Sequence, residues 1–463
     1  MQVIISNTIH IKDPSKDITD WVKSHLVIAN PEFTKKLRMN FWLGDTPEKL
    51  FLYETQGNTM ILPFGVLREI LPIIGDEVST LFPEPTVIDY GEPIPLYPYQ
   101  EEAVTAALNA QYGILQSAAG SGKTQMGLAM VQKFGFRALW LTHTKDLFNQ
   151  SKERAEQYMD KRLLGTITEG KVNISDGITF ATIQTMSRLD LNKYSDLWDV
   201  VIVDECHRVA GSPTAMTQFY KVLNSLKARH KYGLSATVHR SDGMIQATYS
   251  LLGGIVYEVP EEAIANKIMK VGICPVGTGV KMSMDCLNTD GTINYTRLIT
   301  YLTKNPERNR LIVQHLISNQ NHSTLILSSR LEHLETLMAM LPPYMRCEAV
   351  MISGQMVSKS GKAKREKALD EMRSGEKLYL FATYSLAKEG LDIPRLDRLF
   401  MATPEKDYAV ITQSIGRIAR IFDGKQDPVA YDFVDDMQYL VKNYKKRCST
   451  YSKNGCYFVE VNG

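Results

Sequence analysis

No run of apolar residues in the 463-residue sequence is long enough to cross a bilayer. The opening residues, M-Q-V-I-I-S-N-T-I-H, have neither a basic head nor a long apolar core, so no secretory leader is predicted. Cysteine is sparse: Cys206, Cys274, Cys286, Cys347, Cys448 and Cys456 lie far apart and form no C-x-x-C pair. This argues against a zinc site and predicts reduced thiols in a cytoplasm. Charge of one sign is also missing. With a formal net charge of +2, any nucleic-acid surface has to be a local patch. No internal repeat is evident at solenoid periods. What is present, 44% hydrophobic and 22% charged residues, describes a globular chain with room for about three domains.

The most informative stretch is 200–207, V-V-I-V-D-E-C-H. Its apolar run suits a strand buried in a parallel sheet. Such a strand delivers Asp204 and Glu205 to the carboxyl edge, where ligands of α/β folds bind. Two acids there suggest two tasks, one holding magnesium and one activating a water. Alone, the pair is equally well read as a solvated acidic turn.

A second motif lies upstream. The strand candidate Y-G-I-L-Q (112–116) runs into S-A-A-G-S-G-K-T (117–124) and then into an apolar helical segment from Gln125 to Phe134. Strand, glycine loop, Gly-Lys-Thr and helix form the context of a phosphate-binding loop, although Ser117 stands where the general pattern has its first glycine. The backbone N–H groups of Ala119, Gly120, Ser121 and Gly122 would face phosphate oxygens, helped by the helix start. Lys123 would reach the β- and γ-phosphates. Thr124, with Asp204 through water, would hold Mg2+, and Glu205 would be the base for the attacking water. Together these residues are the minimum for nucleoside triphosphate hydrolysis.

The flanking regions divide by composition. Residues 1–90 carry no phosphate motif and read as a small α/β accessory domain, followed by a proline-rich stretch (F-P-E-P at 82–85, E-P-I-P at 92–95). Residues 91–260 alternate strand and helix patterns, 261–306 read as an irregular connection, and 307–440 resume the alternation. Residues 441–463 read as a basic tail with Lys442, Lys445, Lys446, Arg447 and Lys453. Within 307–440, Q-S-I-G-R-I-A-R (413–420) sets Arg417 and Arg420 three apart, on one helix face. A second-lobe arginine can neutralise charge in phosphoryl transfer, as an arginine finger.

In this order the motifs resemble a superfamily 2 helicase of the DECH-box group, over roughly residues 96–435. The resemblance implies an α/β chain of two RecA-like doubly wound parallel-sheet lobes. L-Y-P-Y-Q (96–100) is similar to the adenine-reading motif, with Gln100 as the base reader; many relatives have arginine where Tyr97 stands. By the same resemblance, Thr142 and His143, Thr182 and Gln184, Ser328 and Arg330, and Thr383 contact one nucleic-acid strand. Ser235 and Thr237, with His207 and Gln413, couple hydrolysis to strand movement. Gly390 and Asp392 sense the γ-phosphate. Hydroxyls and helix starts contact phosphates without reading sequence, which suits a motor that steps along a strand.

L-P-F-G-V (62–66), after a region containing F-W-L-G-D (41–45), resembles the accessory domain of phage UvsW-like helicases. That resemblance implies ATP-driven branch migration, fork regression and unwinding of displacement loops or Holliday junctions. The expected partners are branched double-stranded DNA and single-stranded DNA. No membrane is involved, a monomer is the expected state, and the compartment is the cytoplasm of a host if the chain is phage-encoded. An RNA helicase, a nucleotide-gated DNA clamp and a restriction-enzyme motor subunit are the alternatives. Strand-separating candidates are 260–306 and the basic stretch 353–367. The basic tail, with Tyr444 and Tyr451, is a candidate grip on DNA by charge and stacking, or a solubilising segment.

Overall fold

A computed structural model describes residues 1–463 except 76–77, 119, 210–212, 237–243, 265–267, 355, 357–358, 389–390, 392 and 461–463. The chain divides into two compact units, Met1–Ala118 with Gly122–Pro260, and Glu261–Gly463 with Ala119–Ser121.

The first unit opens with β1 (Gln2–Ile5), β2 (Thr8–Lys12), β3 (Val27–Ala29), β4 (Lys49–Phe51), β5 (Glu54–Gln56), β6 (Thr59–Pro63) and β7 (Val78–Thr80). Five of them form a sheet ordered β5-β6-β2-β1-β7, and β3 pairs with β4. Strand β2, T-I-H-I-K, buries Ile9 and Ile11 and turns His10 and Lys12 outward, the period-two pattern of a half-buried strand. The core beneath this sheet is shared. Ile9, Leu62, Phe64 and Ile70 pack with Tyr112, Met244 and Ala247 from the larger α/β layer of the same unit.

That layer contains β8 (Gly113–Gln116), β9 (Ala138–Thr142), β10 (Leu164–Thr168), β11 (Lys171–Asn173), β12 (Ile178–Thr182), β13 (Val200–Asp204), β14 (His230–Ser235) and β15 (Ile255–Glu258). The order is β11-β10-β12-β9-β13-β14-β8-β15, and only the edge pair β10–β11 is antiparallel. Helices cover both faces, so the central strands read as unbroken apolar runs such as V-V-I-V.

The second unit is one all-parallel sheet of β16 (Gly272–Lys281), β17 (Thr324–Ser328), β18 (Ala349–Ile352), β19 (Tyr379–Thr383), β20 (Arg398–Met401), β21 (Val429–Asp436) and β22 (Tyr457–Phe458). Its order is β18-β19-β17-β20-β21-β16-β22. Both lobes are therefore α/β layers of the RecA-like kind.

Two expectations need correction. The supposed connection 261–306 contains β16 and the helix Tyr295–Lys304, both built into the second unit. Pro275, Gly277 and Gly279 interrupt the strand signal, and the pairing comes from β21, far along the chain. The supposed tail is the helix Gln438–Lys453, held by the buried Arg447, whose Nε donates to Asp432 Oδ2 at 2.8 Å, and by Tyr451 Oη, which donates to the same oxygen at 2.6 Å.

Candidate active site

The sheet order decides which motifs meet. Strands β9, β13, β14 and β8 are consecutive, and each ends in a motif: Thr142, Asp204, Ser235, and Gln116 leading into the loop. Register keeps the ends level, with Asp204 opposite Leu234 and Leu234 opposite Leu115. Parallel strands thus gather residues more than 100 apart in sequence at one carboxyl edge.

The phosphate loop leaves β8 and enters the helix Lys123–Phe134 through Gly122, which has φ +83 and ψ 34. A side chain is strained in that left-handed region, and a Cβ there would also run into Gln100 Nε2. Gln100 is buried; its Oε1 accepts the Tyr97 N–H at 3.0 Å. In this structure it therefore caps the helix Pro98–Ala110 and braces the loop. At the loop's start the Ser117 N–H donates to Ser235 O at 3.0 Å, so loop and β14 are bonded through backbone. Lys123 Nζ lies 3.3 Å from Ser117 O and 3.4 Å from Ala118 O.

Asp204 is buried at the end of β13. Ser151 Oγ donates to its Oδ2 at 3.1 Å, and the Glu205 N–H donates to its Oδ1 at 3.0 Å. Burial first, then the neighbouring Glu205 carboxylate, raises the Asp204 pKa to about 7, against the lowering effect of Lys123. Glu205 has φ 50, a left-handed conformation for a residue with a side chain. Such a conformation costs about 1 kcal/mol or more and marks a backbone held by its surroundings. His207 Nδ1 lies 3.3 Å from Glu205 Oε2 and 3.0 Å from Ser235 Oγ. Cys206 is fully buried against Gly233 and its thiol pKa is pushed up by burial, so it is a packing residue.

The strand-contact motifs behave less uniformly. Thr142 is buried with its hydroxyl on Ala181 O at 3.3 Å, and Ser328 is buried with its Oγ 3.0 Å from His333 Nδ1. Both hydroxyls are engaged within their own lobe. Thr182 Oγ1 bonds Thr185 Oγ1 at 3.0 Å, and Gln184 Nε2 donates to His143 O at 2.8 Å, which ties two of the motifs together. Burial, then Arg208 and His207, lowers the His143 pKa. In the second unit Arg330 is exposed, and Thr383 Oγ1 lies 2.9 Å from Ser385 Oγ. The helix Tyr408–Ile418 buries Gln413, and Arg417 Nη1 donates to Leu391 O at 3.3 Å; Arg420 lies past the helix end in a bridge with Ile268, so the expectation that the two arginines share a helix face is corrected. Ala119, Thr237, Gly390 and Asp392 lie outside the described residues. Ser151 was missed by sequence reasoning. It lies inside the helix Lys145–Glu156, and no local pattern connects it to Asp204, 53 residues on.

The donor set fits a magnesium-bound nucleoside triphosphate. The site has a left-handed glycine turn with a lysine behind it, a hydroxyl at Thr124 and a carboxylate at Asp204. Two α/β lobes in one chain, the first opening on such a loop, define a two-lobe P-loop motor. Residues 93–240 match the family "Type III restriction enzyme, res subunit", and residues 307–422 match "Helicase conserved C-terminal domain". With both domains in this order, the chain belongs to superfamily 2 of the helicases.

Among its relatives is the probable helicase D10 of Escherichia phage T5, 26% identical over 345 residues, which are 74% of this chain and 72% of that one. Yeast Dbp5 bound to RNA shares the fold, with a TM-score of 0.54 at 19% identity over 87% of this chain and 94% of that one. The crystal structure of T4 UvsW aligns with 99% of each chain at 16% identity and a TM-score of 0.41.

Proposed function

We propose that this chain is an ATP-driven DNA motor that remodels branched DNA by branch migration and fork regression. One observation carries the motor reading: the succession Glu205–His207–Ser235–Ser117, in which the hydrolytic acid contacts a histidine, the histidine a serine hydroxyl, and that serine's carbonyl the first residue of the phosphate loop. A clamp that closes without turnover has no use for an acid wired to the residue that begins the coupling motif. In this reading Lys123 and the loop amides bind the triphosphate, while Thr124 and Asp204 hold magnesium. When bound, that ion neutralises charge on the β- and γ-phosphates. Glu205 takes the proton of the attacking water, and Arg417 and Arg420 offset transition-state charge. DNA is favoured over RNA by the restriction-subunit family of the first lobe. Branched DNA is favoured by the resemblance of L-P-F-G-V (62–66) to the accessory domain of UvsW-like helicases.

The test is ATP turnover and strand exchange on DNA forks, four-way junctions, linear duplexes and matched RNA forks, with Glu205→Gln alongside. Stimulation by junctions is expected, and Glu205→Gln is expected to lose turnover while keeping nucleotide binding. Turnover indifferent to every nucleic acid would sink the motor reading. Activity on linear duplexes with junctions untouched would sink the branched-DNA reading, and a preference for RNA forks would move the substrate to RNA.

A further inference from the structure

The last helix, Gln438–Lys453, contains five basic residues and no acid. Arg447 is buried on Asp432, while Lys442, Lys445, Lys446 and Lys453 are exposed. At about 100° per residue, these four lysines and the exposed Ser449 fall in one stripe about 100° wide. The stripe runs for about 16 Å along the helix axis. Lys442, Lys445 and Lys446 make no ion pair among the described residues.

Helix stability does not account for this arrangement. Lys442 stands near the amino end, where the helix dipole disfavours cations, and it faces like charges three and four residues on. The anchors of the helix are on its other side, in the bonds of Arg447 and Tyr451 to Asp432. The helices packed against it, Tyr295–Lys304 and Tyr408–Ile418, contain no acid either. Nearby, Asp407 caps one of these helices through the Val410 N–H, and Glu405 accepts the N–H groups of Lys406 and Asp407; Asp436 lies exposed at the end of β21. The local field is therefore positive although the whole chain carries only +2.

The tyrosines narrow the ligand. A surface for single strands needs exposed aromatic platforms on which bases stack. Tyr451 is fully buried, and Tyr444 is partly buried beneath the Arg447 guanidinium, 5.5 Å from its ring centroid. The helix itself thus offers a row of cations with no fully exposed aromatic among them, which suits the phosphate backbone of a duplex; the exposed Phe458 lies beside the buried Tyr451, on the side away from the lysines.

We propose that the solvent face of this helix is a second nucleic-acid site, a cationic ridge that holds the backbone of a DNA duplex arm apart from the strand-contact motifs. The proposal rests on the motor reading above and adds to it a contact on the duplex. It is tested on the full chain by fluorescence anisotropy with a blunt DNA duplex and with oligo(dT), over a salt series, using Lys442→Gln/Lys445→Gln/Lys446→Gln. Each phosphate contact adds about 0.9 to the slope of log affinity against log salt, so the triple variant should lower that slope by about 2–3. Duplex affinity near 0.1 M salt should fall on the order of 100-fold. Affinity for oligo(dT), DNA-free ATP turnover and the melting temperature should stay as in wild type. Unchanged duplex affinity and slope would overturn the ridge. So would an equal loss on oligo(dT), or an equal loss from the exposed and unassigned Lys161→Gln/Lys171→Gln/Lys193→Gln in the first lobe. Failure of the motor reading would show separately, as wild-type turnover that no DNA raises.

Discussion

Replacing Gly65 with alanine tests how the accessory domain is joined to the first lobe. Gly65 sits in the single turn Phe64–Val66 that follows β6, and it abuts the end of the helix Ile245–Leu252. A Cβ built on it would meet Tyr249 O, would lie 2.5 Å from Gly253 N and 2.7 Å from Leu252 N. All three are backbone atoms, so neither rotamer changes nor a flexible tip can make room. Overpacking of this kind costs about 1–3 kcal/mol. Because Gly65 has an ordinary backbone conformation, stiffening the unfolded chain returns about 0.4–1 kcal/mol. At the middle of both ranges the net destabilisation is about 1.3 kcal/mol, which lowers the melting temperature of a unit this size by about 3–5 °C. Gly254→Ala is the matched control, since a Cβ there meets nothing within 4 Å. The assay is differential scanning calorimetry of the full chain, with limited proteolysis of the proline-rich 82–95 segment as a second readout. Cleavage there should be faster in Gly65→Ala. If Gly65→Ala melts with wild type while Gly254→Ala does too, the L-P-F-G turn is not a rigid seat and the reasoning fails.

Three further outcomes are expected. Lys231 is fully buried, donates to Asn7 O and to Leu223 O, and has its pKa lowered by burial from the ordinary 10.5 to about 7. Between those values the unfolded chain binds more protons than the folded one, so stability rises with pH across about 7 to 10.5; urea unfolding at pH 7.5 and 9.5 should show the rise, and Lys231→Met should flatten it. Arg447→Met leaves the buried Asp432 carboxylate without its counter-charge, with Tyr451 Oη still donating to it, which should destabilise the second unit by about 3 kcal/mol in chemical denaturation. His207→Ala removes the bridge between Glu205 and Ser235 and should abolish nucleic-acid stimulation of ATP turnover while leaving the KM for ATP within about twofold, read in steady-state kinetics.

The parts of the site that were legible beforehand are those written in consecutive residues. The phosphate loop and the Asp204-Glu205 pair each sit at a strand end, and a strand end in a parallel sheet fixes where the next residues go. What stayed hidden depends on which way a side chain turns. Thr142 and Ser328 match strand-contact motifs, yet their hydroxyls face inward, and nothing in a Ser/Thr motif specifies that rotation. Ser151 and Lys231 were invisible because their partners are distant in the chain. Strand β16 reads as loop in the sequence because its Pro and Gly residues mask a pairing supplied from afar by β21. The final helix reads as a tail in the sequence because its charges dominate its composition, although Asn443, Arg447 and Tyr451 recur at helical spacing on the buried side.

The placement of β14 has a mechanical consequence. In the chain, Ser235 comes after both the phosphate loop and the acids; in the sheet, its strand lies between theirs. The three are connected in series, with the relay in the middle rather than at the end of the line. In the proposed motor, a displacement of the Ser235 backbone would act on the cradle through the Ser117 N–H and, by its hydroxyl, on the acids through His207. The two links use different atoms of one residue, so in the proposed motor Ser235→Ala would remove the hydroxyl contact to His207 and keep the backbone bond to Ser117, separating the acids from the cradle without breaking the sheet.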